Sequence, residues 1–203
     1  MQYNLGEYTI NNAMGRRPNT ESRRRQIIDA LLAEIAESGY ERASTVSIAA
    51  RAGLAPGLIH YHFKSKEEIL LALVDELIAF AQLTATAAMD AATTPQAKLA
   101  AYVRTRVGFG PQADENQVKA WVAIQAEAMG LASVRSRVAQ WLAGDHASIA
   151  QLFVLAEAAN PQERASMLLA SILGSFTLHA FSLPSVPRGY AESQLLAWLA
   201  SVL

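Results

Sequence analysis

The stretch from Thr45 to Lys66, TVSIAARAGLAPGLIHYHFKSK, constrains the fold more than any other part of the chain. Its first half places apolar residues at the spacing of one helical face, namely Val46, Ile48, Ala49 and Ala52. Gly53 then provides a stop, and Pro56 is suited to the first position of a second helix, which we expect to run to Phe63. The pattern predicts a helix-turn-helix of the kind that reads the DNA major groove, and an αα-hairpin without a DNA role is the alternative.

Several positions within and before this stretch make the match more specific. Leu58 to Lys66 interleaves polar donors with apolar anchors, as contact with phosphate oxygens requires. The run resembles the DNA-binding domain of the TetR family of bacterial repressors over roughly residues 23 to 75. The positions that carry the resemblance are Gly39-Tyr40, Ile48-Ala49, Ala52-Gly53, Gly57, His62-Phe63 and Ser65-Lys66. The run GLIHYHF looks like the subgroup around the choline-responsive repressor BetI.

This resemblance implies a set of DNA-contacting residues. Leu58 departs from the family at a position where threonine is common, and His60 does so where tyrosine is common; both changes still permit contact with DNA. The residues expected at base edges are Pro56, Gly57, Leu58 and Tyr61. Those expected at phosphates are Thr45, His60, His62 and Lys66. Arg24 and Ser44 are further expected DNA contacts, and Ser44 or Thr45 can also cap the first helix of the pair.

Composition points to an all-α protein of one or two domains. Apolar residues make up 52% of the 203, and Gly and Pro are sparse. No apolar run approaches the ~20 residues of a membrane span, and the start lacks the features of a signal peptide. The chain has no cysteine, which excludes disulfides and thiolate sites. We therefore expect a cytoplasmic protein without a membrane partner.

The net charge of −1 hides an asymmetry along the chain. Residues 1–66 hold nine basic and six acidic residues, whereas residues 67–203 hold eight basic and twelve acidic ones. The balances are therefore +3 and −4. A basic first third suits a partner that carries phosphates.

The chain in order predicts three parts. Residues 1–20 form a flexible arm, residues 21–66 the helix-turn-helix DNA-binding domain, and residues 67–203 a larger helical domain for ligand binding and dimerisation. The first 15 residues are expected to form a solvated tail. The stretch Arg16–Arg25 either contacts DNA or is solvated like the tail. Ser65 with Glu68 predicts the capped start of a long helix reaching about residue 88. The later helices are expected near residues 96–107, 117–129, 133–157, 161–182 and 190–202.

The second region carries few charges and scattered aromatic residues. Core filling explains such residues, whereas the resemblance implies that they line a cavity for a small apolar or amphipathic ligand. Gln125 and His179 are the candidate polar anchors. The full candidate set is Tyr102, Phe109, Trp121, Gln125, Trp141, Phe153, Phe176 and His179.

The last two predicted helices carry apolar stripes. The resemblance implies that they pair with their copies in a second subunit as a four-helix bundle, and burial within one subunit is the alternative. The residues expected at the dimer interface are Leu168, Ile172, Leu195, Trp198, Leu199 and Val202.

Catalytic and metal-binding readings find little support. His60 and His62 lie two apart on a helix and do not share a face, so they make a poor metal pair. No Gly-rich phosphate loop, HExxH or GxSxG occurs, and we expect neither a metal nor a cofactor. The predicted function is a homodimeric, ligand-responsive repressor of a palindromic double-stranded DNA operator. The alternative is a helical DNA-binding or protein-interaction module without a small-molecule ligand.

Overall fold

The computed structural model describes residues 17–107, 115–187 and 189–203, which form nine α-helices and no strand. The all-α prediction is confirmed, and each predicted helix is present. The bounds are α1 Arg17–Ser38, α2 Thr45–Arg51, α3 Pro56–His62, α4 Lys66–Asp90, α5 Pro95–Val107, α6 Glu115–Gly130, α7 Ala132–Leu155, α8 Pro161–Ala180 and α9 Tyr190–Val202.

Helix α1 begins at Arg17, four residues before the predicted start. Pro18 lies in its first turn, where a missing backbone N–H costs no helical hydrogen bond. The part of the predicted arm before Arg17 lies outside the described residues.

The helices pack as two units. The first holds α1 to α3, α4 up to Glu76, α6, and the start of α7 up to Arg135. Its largest fully buried side chains lie on α1 to α4, in the turn before α4 and on α6. They are Ile27, Leu31, Ile48, Ile59, Phe63, Ile69, Leu70, Leu73 and Ile124. Helix α6 packs against α1 in this unit, although residues 67–203 were predicted to form one domain.

The second unit holds the rest of α4 and α7 together with α5, α8 and α9. Its core is apolar, and α9 packs on α5 and α8. The fully buried members of that core are Leu99, Val103, Val107, Ile149, Ala150, Phe153, Ala165 and Leu168. Helix α4 contributes residues to both units and so joins them covalently.

Helix α4 is long and apolar enough, by length and composition alone, to cross a membrane. Asp75 and Glu76 interrupt it, so it contains no unbroken apolar run of the ~20 residues that we expected a span to need. Ile69, Leu70 and Val74 of this helix are nevertheless buried within the protein. A core helix passes the same test, so one such helix is weak ground for a span, and the absence of a membrane partner stays a prediction.

Candidate nucleic-acid interface

Helix α3 is anchored by one residue and exposes most of the others. Ile59 is fully buried and contributes to the core beneath α3. With about 100° of rotation per residue, Gly57 and Tyr61 project away from that core. Tyr61 is 78% exposed and Leu58 is 41% exposed. The four predicted base-edge residues, Pro56, Gly57, Leu58 and Tyr61, are therefore all exposed to solvent. His60, predicted to contact a phosphate, is exposed as well.

The turn between α2 and α3 follows from the glycine at its centre. Gly53 has φ +66°, the left-handed region that other residues adopt at a cost. The Leu54 N–H donates to the Ala49 carbonyl at 2.9 Å and closes the turn. Pro56 then stands at the start of α3, where its missing N–H needs no acceptor. The sequence signals for this turn are confirmed.

Helix α2 is capped by Ser44 rather than Thr45. The Ser47 N–H donates to Ser44 Oγ at 3.0 Å, and the Ser44 N–H donates to Ser47 Oγ at 3.0 Å. Ile48 and Ala49 form the buried side of α2. Val46, predicted to belong to that apolar stripe, is instead 61% exposed. Val46 is therefore an exposed apolar side chain at the start of α2.

Arg24 holds α1 against the end of α3. Its Nη1 donates to the His62 carbonyl at 2.5 Å, and its guanidinium lies 4.0 Å from the centroid of the Phe63 ring. The carbonyl at a helix C-terminus carries partial negative charge, so the cation stabilises it. Arg24 was expected to contact DNA, whereas its hydrogen bond and stacking serve the scaffold that positions α3.

Lys66 has a comparable scaffold role, which differs from the phosphate contact that we expected. Its Nζ donates to the carbonyls of Tyr40 and Ala43, both at 3.0 Å, and lies 4.1 Å from the Tyr40 ring centroid. Burial, followed by the carboxylates of Glu67 and Glu127, raises the pKa of Tyr40 to about 12. The Tyr40 ring therefore stays neutral beneath the ammonium. Sequence spacing gave no sign of this contact, which closes over 26 residues.

The only guanidinium on α2 or α3 is also occupied. Arg51 Nε donates to Glu34 Oε1 at 2.5 Å, and Arg51 Nη2 donates to Glu37. The hydrogen bond from Arg51 lowers the pKa of Glu34. These contacts tie α2 to α1 and draw the guanidinium toward the scaffold.

The two histidines of α3 differ in environment. His60 is exposed. His62 is half-buried, and its Nδ1 is buried without a hydrogen bond to any residue that the structure describes. Burial lowers the pKa of His62, and the charges of Arg24 and Arg23 lower it further. The His62 ring is thus held neutral, which weakens the expectation that it pairs with a phosphate.

The start of α4 is satisfied within the chain. The Glu68 N–H donates to Ser65 Oγ at 3.1 Å, and the Lys64 N–H donates to Glu68 Oε2 at 2.7 Å. The predicted capping residues are therefore confirmed, with Glu68 reaching one residue further back than in the usual capping box. Glu67 accepts a hydrogen bond from the Ser133 hydroxyl.

The predicted ligand residues fall into both units. Trp121 and Gln125 lie on α6 in the first unit. Tyr102, Trp141, Phe153, Phe176 and His179 lie in the second unit, and Phe109 lies outside the described residues. Phe153 is fully buried in the apolar core, with its ring centroid 6.2 Å from that of Trp198. Phe176 and His179 are half-buried on α8. Phe153 thus fills the core, which is the alternative that the sequence left open.

A buried polar cluster lies between α5 and α7. Arg106, 7% exposed, donates from Nη2 to Asp145 Oδ2 at 2.7 Å, and Tyr102 Oη donates to the same oxygen at 2.8 Å. The guanidinium lies 4.9 Å from the Tyr102 ring centroid and 5.4 Å from that of Trp141. Our sequence prediction missed Arg106; a charged residue one turn after Tyr102 on an otherwise apolar face could have indicated it.

Gln125 has an unusual environment on α6. Its Nε2 is buried and makes no hydrogen bond to the residues that the structure describes. Trp121 lies one turn earlier and is 8% exposed. A buried amide nitrogen without an acceptor costs free energy unless another group satisfies it.

The predicted dimer stripe needs a correction. Leu168, Ile172, Leu195 and Leu199 are buried in the core of their own chain. An apolar helical stripe indicates burial but does not say which chain provides the partner. Trp198 and Val202 are half-buried against the same core. The exposed face of α8 instead carries Met167, Ala170, Gly174 and Leu178.

Comparison with known proteins adds family information. Residues 27–73 match the family model described as bacterial regulatory proteins, tetR family. The HTH-type transcriptional regulator BetI of Rhizobium meliloti (strain 1021) is 36% identical over 113 residues, 56% of this chain and 55% of that protein. The match thus spans little more than half of that relative.

Solved structures resemble most of the chain. A transcriptional regulator from Rhodococcus sp. Rha1 aligns with a TM-score of 0.80 and 22% identity, over 89% of this chain and 95% of that one. A regulator from Saccharomonospora viridis, solved in complex with choline, aligns with a TM-score of 0.74 and 21% identity over the same shares. At these identities the likeness establishes a shared fold.

Proposed function

We propose that this chain, whose residues 27–73 match the model of the tetR family of bacterial regulatory proteins, is a member of that family and acts as a cytoplasmic, homodimeric transcriptional repressor. It binds a palindromic DNA operator and releases it when a small molecule binds. The observation that carries the proposal is the exposed face of α3, held rigidly by the buried Ile59 and by Arg24. A short helix exposing Leu58 and Tyr61 on a fixed scaffold is suited to entering a major groove.

The DNA contacts divide by chemistry. Gly57, Leu58 and Tyr61 lie where base edges would be met, with Gly57 allowing close approach because it has no side chain. His60 and Thr45 remain the candidates for phosphates. Arg24 and Lys66 are assigned to positioning, since their cationic groups bind the scaffold.

The homodimer is proposed to form through the exposed face of α8, beside α9. Met167, Ala170, Gly174 and Leu178 recur every three or four residues and lie outside the core. The small residues among them let two helices approach closely. This surface replaces the buried stripe that the sequence suggested, and Trp198 stays within its own subunit.

The ligand site is proposed beside Gln125 and Trp121. A ligand acceptor would satisfy the buried Gln125 amide, while apolar surface would gain about 25 cal/mol per Å² buried. The proposed ligand is small and amphipathic.

Coupling is proposed to pass through α4, which both units share. Ligand binding would favour a state in which the two α3 helices no longer fit half-sites about 34–36 Å apart. Without ligand, the spacing fits and the operator is occupied.

Footprinting on the DNA that flanks the chain's own gene tests this function. We expect two protected half-sites with dyad symmetry, and we expect Tyr61→Ala to lose the protection. Leu155→Ala is the matched control, because Leu155 is also exposed but lies on α7. Protection that survives in Tyr61→Ala, or that lacks dyad symmetry, would contradict the proposal.

A further inference from the structure

The exposed surface of α3 lacks the side chains that usually identify bases. Bidentate reading uses Arg or Lys on guanine and Asn or Gln on adenine, and carboxylates can accept from cytosine. Helix α3, PGLIHYH, contains none of these residue types. Its anchoring on the buried Ile59 leaves Leu58, His60 and Tyr61 as the long side chains in solvent.

Of the cations near α3, Lys64 is exposed but follows the end of the helix, and three others are held by the scaffold. Arg51 is bound by Glu34 and Glu37, and Arg24 is bound to the His62 carbonyl. Lys66 donates to two carbonyls of the segment that joins α1 to α2. Each of these charged groups is therefore held by the scaffold that presents α3.

His60 can supply one hydrogen bond, but that bond carries little sequence information. Its natural acceptor in the major groove is a purine N7, which adenine and guanine share. A single contact of this kind separates purine from pyrimidine and leaves A·T and G·C unresolved. Discrimination must then come from groups beside His60.

The remaining long side chains are Leu58, which is wholly apolar, and Tyr61, whose hydroxyl can both donate and accept a hydrogen bond and therefore distinguishes bases poorly. Tyr61 projects directly away from Ile59, and Leu58 lies about 60° from Tyr61 around the helix axis at ~100° per residue. The two are three residues apart and so are neighbours on one surface. The apolar feature of a major groove is the C5-methyl group of thymine. We propose that Leu58, beside the Tyr61 ring, recognises a thymine methyl group in each operator half-site, so that methyl contact contributes to base specificity.

This inference rests on the proposed DNA-binding function and adds the chemistry that the site reads. Replacing thymine by uracil removes only the methyl group and leaves base pairing intact. Burial of one methyl or methylene group contributes about 0.8 kcal/mol, so removal of one buried methyl should weaken binding by about fourfold. Removal of one methyl from each of two equivalent half-sites should weaken binding by roughly fifteenfold.

The experiment is a set of binding titrations on an operator selected from random DNA. Wild-type protein is compared on thymine and uracil versions of each position, and Leu58→Ala is measured on the same set. His60→Ala is the matched control, because His60 flanks Tyr61 on the other side and is also exposed. For wild-type protein, we expect replacement of at least one thymine in each half-site by uracil to weaken binding about fourfold. The same replacement should weaken binding of His60→Ala equally and should leave binding of Leu58→Ala unchanged.

Two results would overturn the inference. One is wild-type protein that binds the fully uracil-substituted operator as tightly as the thymine operator, a measurement that needs no variant. The other is Leu58→Ala that keeps the full preference for thymine. Neither affects the proposed function, which a selection that recovers no preferred sequence would contradict.

Discussion

Replacing Lys66 by alanine separates a scaffold role from a phosphate-contact role. The ammonium makes two hydrogen bonds to the carbonyls of Tyr40 and Ala43 and lies over the Tyr40 ring. Hydrogen bonds to charged groups contribute about 1.5–3 kcal/mol each, and ordering a lysine costs up to about 2 kcal/mol. We therefore expect Lys66→Ala to lower the free energy of unfolding by about 2–4 kcal/mol.

Urea unfolding followed by circular dichroism measures this loss. With a slope of about 2 kcal/mol per molar urea, the middle of the usual range, the midpoint should fall by roughly 1–2 M. Lys64→Ala is the control, since Lys64 is exposed and lies two residues away; its midpoint should stay near that of wild type. Unchanged stability in Lys66→Ala, with a salt slope of operator binding reduced by about one unit, would refute the scaffold role and favour a phosphate contact.

Three further perturbations test other parts of the account. Met167→Glu should yield a folded monomer in sedimentation, because it places a charge on the exposed face of α8, whereas Leu155→Glu should remain a dimer; a dimeric Met167→Glu would exclude that face. The lowered pKa of His62 means that the folded chain binds fewer protons than the unfolded chain just below pH 6.5, so stability should be full above that pH and decline as pH falls toward the folded pKa. The His62→Gln variant should lose this decline between pH 7 and 5 while His60→Gln keeps it, and an identical pH profile in both would oppose the assignment. Gln125→Leu should keep or raise thermal stability yet lose operator release by compounds that stabilise wild type in a thermal-shift screen; normal release would misplace the ligand site.

The helices and the central turn could be predicted because their causes are local. Gly53 needs a left-handed conformation, Pro56 fits a first helical position, and apolar periodicity marks Ile48 and Ile59 as buried. These signals lie within a few residues of the structure that they determine. The exposure of Tyr61 follows from Ile59, since a helix fixes where its neighbours point.

The errors concern contacts between residues that are distant in sequence. Lys66 reaches back 26 residues to Tyr40, and Arg24 reaches 38 residues forward to His62. A free cation near a predicted DNA surface suggests a phosphate, and spacing cannot show that a carbonyl is nearer. For the same reason Leu168 was assigned to an interface, since periodicity gives burial without identifying the partner.

The central claim is that α3 gives sequence-specific, electrostatically assisted binding to duplex DNA. Fluorescence anisotropy of the selected operator and of a scrambled duplex, measured from 50 to 300 mM salt, tests it most directly. The account predicts that log affinity for both falls linearly with log salt, because counterions are released. It also predicts that the operator binds at least about a thousandfold more tightly than the scrambled duplex, and that a combined Leu58→Ala, Tyr61→Ala variant loses this ratio but keeps the salt slope. Equal affinity of wild type for both duplexes, or an undiminished ratio in the variant, would contradict it.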